Sequence, residues 1–243
     1  MTTQTRPEMV GEPEEPEDVG LASWSILEQL GRALHVPEAD LQATLDAIAR
    51  TAVDTIGPAK YAGVNLYEDG RFEPQAVVGQ PPLALDVVQQ KTRTGPCIDS
   101  SRDQITIRVD DMTTEDRWPE YVEHALSLGV ASMLCVPLYV HDRQFGSVSL
   151  YATDRSAFGL TDEYVARLFA TQAALALAEA HRADQMRQAL VNRDVIGQAK
   201  GILMERHRIT PDQAFALLSE RSQRVNRKLV DVARRLAEAG TLD

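Results

Sequence analysis

The stretch Val191–Gly240, VNRDVIGQAKGILMERHRITPDQAFALLSERSQRVNRKLVDVARRLAEAG, carries its own punctuation and decides the reading of the C-terminal part of the chain. Thr210-Pro211-Asp212-Gln213 is a helix start: a threonine cap, proline at the first helical position, and a glutamine three residues on to close a capping box. Asn226 is placed to cap a following helix and Gly240 to end it. Apolar positions recur at helical spacing in each piece: Val195, Ile196, Ala199, Ile202 and Leu203; then Phe215 and Leu218; then Leu229, Val232, Ala233 and Leu236. Three helices with facing stripes make a compact all-α bundle.

Its polar positions are equally patterned. Arg193, Gly197 and Lys200 fall at i, i+4 and i+7, one face of the first helix, where glycine allows a backbone or base to approach closely. The junction of the second and third helices gathers Arg221, Ser222, Gln223, Arg224, Asn226, Arg227 and Lys228. That cluster mixes phosphate-binding cations with side chains able to hydrogen-bond base edges, and it contains no aromatic residue. The chain as a whole has a formal net charge of -11, which argues against nucleic acid as a partner until its distribution is examined. From Leu190 to Asp243 there are ten Lys/Arg and seven Asp/Glu, a net of +3, which leaves -14 for residues 1–189. Such sign asymmetry between segments marks a binding module.

Working back toward the N-terminus, Thr161-Asp162-Glu163 offers a cap and early carboxylates to a long helix that runs through Ala170–Ala183 with no proline or glycine before Gly197. Before it, two hairpins are expected: Tyr61–Tyr67 with Arg71–Val78 around the turn Glu68-Asp69-Gly70, and Met133–Val140 with Gln144–Tyr151. Pro137 points to an edge strand or a bulge. Between the hairpins the pattern gives a short helix over Leu83–Lys91, a strand within Gln104–Val109 and a helix over Pro119–Leu128. Helices are also expected over Leu21–Leu34 and from Pro37 to Ile56. This order fits an α+β domain, an antiparallel sheet with helices packed on one side. The first twenty residues, acidic and proline-rich with few large apolar groups, read as a disordered acidic tail.

Hydrophobic residues at 44% and charged residues at 25% are those of a chain able to bury a core. No apolar run approaches the roughly 20 residues that span a bilayer, and no signal segment opens the sequence, so a cytoplasmic protein is expected. Cys97 and Cys135 lack metal-binding or disulfide-framework spacing. Cys97, beside Gly95-Pro96, is a candidate redox or nitric-oxide sensor if its thiolate is stabilised. The histidines are scattered without ligand spacing, so neither a metal nor a cofactor is nominated. The acidic stretch Asp99, Asp103, Asp110, Asp111, Glu115 and Asp116 reads as a solvated loop, anchored by burial of the Trp118 indole beside Pro119. No phosphate-cradling loop, nucleophile elbow or H-E-x-x-H motif is present, which weighs against an enzyme.

Three ordered blocks, Ala199–Met204, Thr210–Phe215 and Asn226–Leu229 with Val232-Ala233, resemble the ANTAR domain, the antitermination module of bacterial regulators. The resemblance covers about residues 185–240. It implies a homodimer whose modules each hold one hairpin loop of a leader RNA, with Lys200 and the cluster Arg221, Ser222, Arg224, Asn226 and Lys228 at the RNA; Arg193 joins them through the face it shares with Lys200. Residues from about 22 to 180 resemble a GAF domain, a signal-sensing α+β module that precedes ANTAR domains in actinobacterial regulators, on Gly95-Pro96-Cys97, Leu134–Leu138 and Phe145–Val148. The cyclic-nucleotide pattern of that family is absent, so the small-molecule or redox signal is left open. The expected organisation is thus a tail over 1–20, a GAF-like sensory domain over 21–180, and an RNA-binding ANTAR domain over 181–243. A DNA-binding helix-turn-helix regulator remains an alternative, although Ser222–Arg227 lacks the usual glycine. A protein–protein scaffold without nucleic-acid affinity is the other.

Overall fold

The computed structural model describes residues 31–34, 40–68 and 70–241. The expected acidic tail, most of the Leu21–Leu34 helix, the Pro37 helix start and Asp69 of the first turn lie outside them. The chain divides into two compact units, one including Gln42–Ala178 and the other Glu179–Asp243.

In the first unit, helix α1 (Leu41–Thr55) precedes the hairpin β1 (Tyr61–Glu68) and β2 (Arg71–Val78). Helices α2 (Pro81–Thr92) and α3 (Pro96–Asp103), strand β3 (Ile107–Val109), a 3-10 turn at Met112–Thr114 and helix α4 (Pro119–Ser127) follow. The hairpin β4 (Ser132–Val140) and β5 (Arg143–Ala152) completes a five-stranded sheet of order β2-β1-β5-β4-β3, with every neighbouring pair antiparallel.

Both faces of this sheet are covered, not one. Nearly every consecutive residue of β4 and β5 is buried, and since alternate side chains point to opposite faces, neither face meets water. One face packs Phe72, Ile107, Val109, Met133, Cys135 and Tyr151 against Leu85 and Val88 of α2, Cys97 and Ile98 of α3, and Tyr121 and Ala125 of α4. The other carries the cross-strand rows Ala62–Leu150–Leu134 and Val64–Val148–Val136, all buried. Pro137 sits in an internal strand. Its tolerance has a local cause: β3 pairs only with Met133–Cys135, so Pro137 lies beyond the end of that neighbour, and a register shift follows between Leu138 and Tyr139. A helix over Pro96–Asp103 replaces part of the expected loop, with Gln104 in the left-handed conformation (φ 54°) ending it.

Gly146 shapes the sheet centre. Its φ is +150°, and a Cβ there would fall 1.8 Å from the Asn65 carbonyl oxygen, so only glycine allows β5 this close to β1.

Helix α5 (Leu160–His207) is continuous over 48 residues, through both Gly197 and Gly201. Its first turn is closed by the Gly159 N–H donating to Asp162 Oδ2 (2.9 Å), two residues earlier than a Thr161 cap would place it. Helices α6 (Pro211–Val225) and α7 (Leu229–Ala239) complete the second unit. The Thr210 capping box is formed as the sequence indicates, and Gly240 ends α7 with φ 72°. Asn226 behaves differently: it takes φ 50° and terminates α6, while Lys228 occupies the N-cap of α7. The core of this unit is Ala199, Leu203, Ala214, Leu218, Val232, Ala233 and Leu236, with Val195, Ile196, Ile202 and Leu229 packed against it. Phe215 is outside it and exposed.

Two substitutions test this account by urea unfolding followed by circular dichroism. Thr210→Ala should cost about 1 kcal/mol in the transition of the C-terminal unit. Gly146→Ala should cost ~3 kcal/mol or more in the sheet domain, since backbone rather than a movable side chain stands in the way.

Candidate nucleic-acid interface and sensory core

The sequence-nominated RNA residues fall on α5 and on the α6–α7 junction. Arg193 and Gly197 are exposed and Lys200 is half-buried, and a Cβ at Gly197 would meet nothing within 4 Å, so this helix face is open. At the junction Arg224, Asn226, Arg227 and Lys228 are exposed, and Arg221 and Ser222 half-buried. The turn is held by its own polar groups. The Ser222 hydroxyl donates to the Arg227 carbonyl (2.6 Å), and the Arg227 N–H returns to the Ser222 carbonyl (3.1 Å). Ser222 therefore shapes the junction and keeps its oxygen lone pairs as acceptors.

The cations divide into two groups. Arg234 pairs with Asp231 (3.4 Å), and Arg206 donates to the Gly240 carbonyl at the end of α7. Among the described residues, no carboxylate forms an ion pair with Arg193, Lys200, Arg221, Arg224, Arg227 or Lys228. Charges without intramolecular partners are the ones free to neutralise phosphates.

The sheet domain holds a polar cluster that the sequence reading missed. On the face covered by α2, α3 and α4, strands β1, β5 and β4 present Gly63, Ser149 and Cys135 in one row, and Asn65 and Ser147 in the next. Asp86 and Gln89 of α2 and Ser100 and Ser101 of α3 complete it, and all of these polar side chains are fully buried. Gln89 links the two helices: its Oε1 accepts from the Cys97 N–H (2.9 Å) and its Nε2 donates to Asp86 Oδ1 (3.4 Å). A side chain at Gly95 would collide with Gln89, which explains glycine there. Ser149 Oγ donates to the Gly63 carbonyl (3.2 Å) and Ser147 Oγ to the Cys97 carbonyl (3.4 Å).

Four atoms of the cluster are buried without any hydrogen-bond partner: Asn65 Nδ2 and Oδ1, Asp86 Oδ2 and Ser101 Oγ. Each such group costs about 1–3 kcal/mol. Burial pushes the Asp86 carboxyl well above the usual carboxylate range, and any negative charge on Cys97 adds to this; the nearby Asn65 and Gln89 amides pull the other way without cancelling it. The signal for this cluster was present in β5, where serine alternates with valine and leucine over Ser147-Val148-Ser149-Leu150.

Cys97 lies inside this core, fully buried, with its sulfur 3.9 Å from the Tyr151 hydroxyl. Burial pushes its thiol up. The acidic stretch is more ordered than a solvated loop. Asp99 accepts from Trp118 Nε1 (2.8 Å), Arg117 lies 4.2 Å over the indole, and Asp111 caps the 3-10 turn. Asp103, Asp110 and Glu115 pair with Arg102, Arg108 and Arg117. Among the described residues no group of three or more His, Cys, Asp or Glu is arranged to hold a metal ion.

The sheet order β2-β1-β5-β4-β3, with helices over a polar central face, defines the class of fold. The family model described as "GAF domain" matches residues 38–178, more than half of the sequence, and the chain belongs to that family. The model described as "ANTAR domain" matches residues 184–236. Solved structures with the same fold include the GAF domain of a phosphoenolpyruvate-protein phosphotransferase from Coxiella burnetii, at 16% identity and TM-score 0.54 over 68% of this chain and 98% of that one. The free methionine-R-sulfoxide reductase of Neisseria meningitidis, solved with its substrate, aligns at 18% identity and TM-score 0.53 over 72% and 99%. The Acinetobacter phosphotransferase GAF domain gives 13% and 0.51 over 67% and 96%. At these identities the likeness is one of fold. No curated protein matches the sequence. The GAF–ANTAR architecture is that of a regulator, and no helix among the described residues is long and apolar enough to cross a membrane.

Asp86 yields a pH test. A carboxyl whose pKa is raised in the folded state stabilises that state fully below its unfolded pKa, and the contribution is lost as pH rises through the folded value. Sheet-domain stability should therefore fall over that range in the native chain and fall less in Asp86→Asn, measured by denaturant midpoints at a series of pH values. Ellman's reagent should leave both Cys97 and Cys135 unmodified in the folded protein and titrate both after unfolding.

Proposed function

We propose that the protein is a signal-responsive, RNA-binding transcription antiterminator. The observation that carries this is the set of cations with no ion pair among the described residues, Arg193, Lys200, Arg221, Arg224 and Lys228, gathered with Ser222 and Asn226 on the unit that matches the ANTAR model. In this reading a homodimer places one C-terminal unit on each of two hairpin loops of a leader RNA, so that a downstream terminator does not form. Two linked sites raise avidity through effective concentration only when both loops are within reach. The sensory unit, about residues 21–180, controls that reach through helix α5, without catalysis of its own and in the cytoplasm.

The same reading puts the input at the polar core. With Asp86 neutral, Asn65 Nδ2 and the Asp86 carboxyl offer donors, Asn65 Oδ1 an acceptor, and the Ser101 hydroxyl either, the complement of a small polar molecule carrying both kinds of group. Cys97 takes part as a neutral thiol contact in this core.

The test is binding of the purified full chain to two-hairpin RNAs with randomised loops and to duplex DNA, at two salt concentrations, beside Lys200→Ala. RNA should be preferred, and Lys200→Ala should weaken binding and reduce the slope of log affinity against log salt by about 0.7 to 0.9. A preference for the duplex would replace this reading with a promoter-binding regulator, and affinity for neither would leave a protein–protein scaffold.

A further inference from the structure

Phe215 is the one Phe, Tyr or Trp between Glu179 and Asp243. A small helical unit has few large side chains with which to build a core, and the spacing of Phe215 with Leu218 directs the ring inward. The structure does the opposite: Ala214 and Leu218 enter the core, and Phe215 is left 45% exposed. On α6 the positions i+4 and i+7 from it are Ser219 and Ser222, so ring and hydroxyls share one stripe of the helix. Ser222 keeps its acceptor lone pairs, because its own proton goes to the Arg227 carbonyl. The same helix carries Arg221 and Arg224, neither of them neutralised by an ion pair among the described residues. The Thr210 capping box and Pro211 fix the first turn, which holds the ring's Cα in place before any partner arrives.

Resting on the RNA reading above, we propose that Phe215 is a stacking platform for an unpaired nucleobase of the hairpin loop, with Ser219 and Ser222 beside it to meet the base edge. Single-stranded nucleic acids are held by aromatic faces combined with cations, and every base has a π-face to offer. This supplies the stacking group that the cation cluster lacks. It also separates two kinds of contact on one module: cations that set the salt dependence, and a ring that contributes affinity without changing it.

The experiment uses the full chain and a pool of two-hairpin RNAs with randomised loops, titrated at two salt concentrations with wild type, Lys200→Ala, Phe215→Leu and Phe215→Trp, and sedimentation of each protein alone. Phe215→Leu keeps an apolar side chain but removes the ring, and should weaken binding by about 5- to 150-fold, the loss typical of one stacked base, with the salt slope unchanged. Phe215→Trp should bind at least as tightly as wild type. Lys200→Ala should lower the slope instead. Wild-type affinity in Phe215→Leu, while Lys200→Ala is impaired, would overturn the stacking role and leave the antiterminator reading standing. A changed sedimentation coefficient in Phe215→Leu would assign the ring to contact between copies. Absence of RNA binding by wild type would remove both readings.

Discussion

The close approach of β5 to β1 at Gly146 is the constraint on which the sensory domain rests. With no Cβ between them, Gly146 and the Asn65 backbone come into direct contact, and β5 can pair with β1 on one side and β4 on the other over most of its length. That central pairing brings Ser147 and Ser149 beside Asn65 and Gly63, creating a polar patch inside an otherwise apolar sandwich. Helices α2 and α3 then close over it through Gln89, whose amide bridges the Asp86 carboxyl and the first turn of α3. Remove the close approach and the two hairpins lose their common register, and with it the row of groups that makes this face more than a core.

Local chemistry was the legible part of the sequence. Both hairpins, the Thr210 box and the Gly240 stop depend on neighbours within a few residues, so their signals survive without knowledge of the fold; the burial of Trp118 was legible from the size of its indole, although Asp99, 19 residues away, holds it. What was missed depends on tertiary partners. The one-sided sheet was a wrong inference because continuous burial of Ser132–Leu138 and Phe145–Ala152 is decided by elements distant in sequence. Asn226, expected to cap the following helix, instead ends α6 in the left-handed conformation, because the chain reverses tightly after Val225. Phe215 and Ala214 compete for one core position, and a close-packed bundle of Ala199, Ala233 and Leu residues takes the smaller side chain. The candidate cations were nominated by type and spacing; what the sequence could not reveal was that Arg206 and Arg234 are already engaged, while Arg193, Lys200, Arg221, Arg224, Arg227 and Lys228 form no ion pair among the described residues.

Charge is distributed along the chain by use. The acidic side chains of the sheet domain include a series paired with its own arginines, Arg102, Arg108, Arg117 and Arg155. The C-terminal unit inverts this arrangement, most of its cations having no ion pair among the described residues. A chain that is acidic overall can thereby present a locally basic surface while its remaining surface repels polyanions, which narrows the orientations in which nucleic acid can approach.

The full enclosure of Asn65, Asp86 and Ser101 also bears on time. A molecule that pairs with atoms having no exposed surface enters only when the covering helices part, so its association rate carries the opening probability as a factor, and its departure waits for the same event. An input read in this way is averaged over the interval between openings. If the proposed input binds at this core, the domain responds to sustained changes in concentration and passes over brief ones, a filtering property set by helix packing rather than by binding strength.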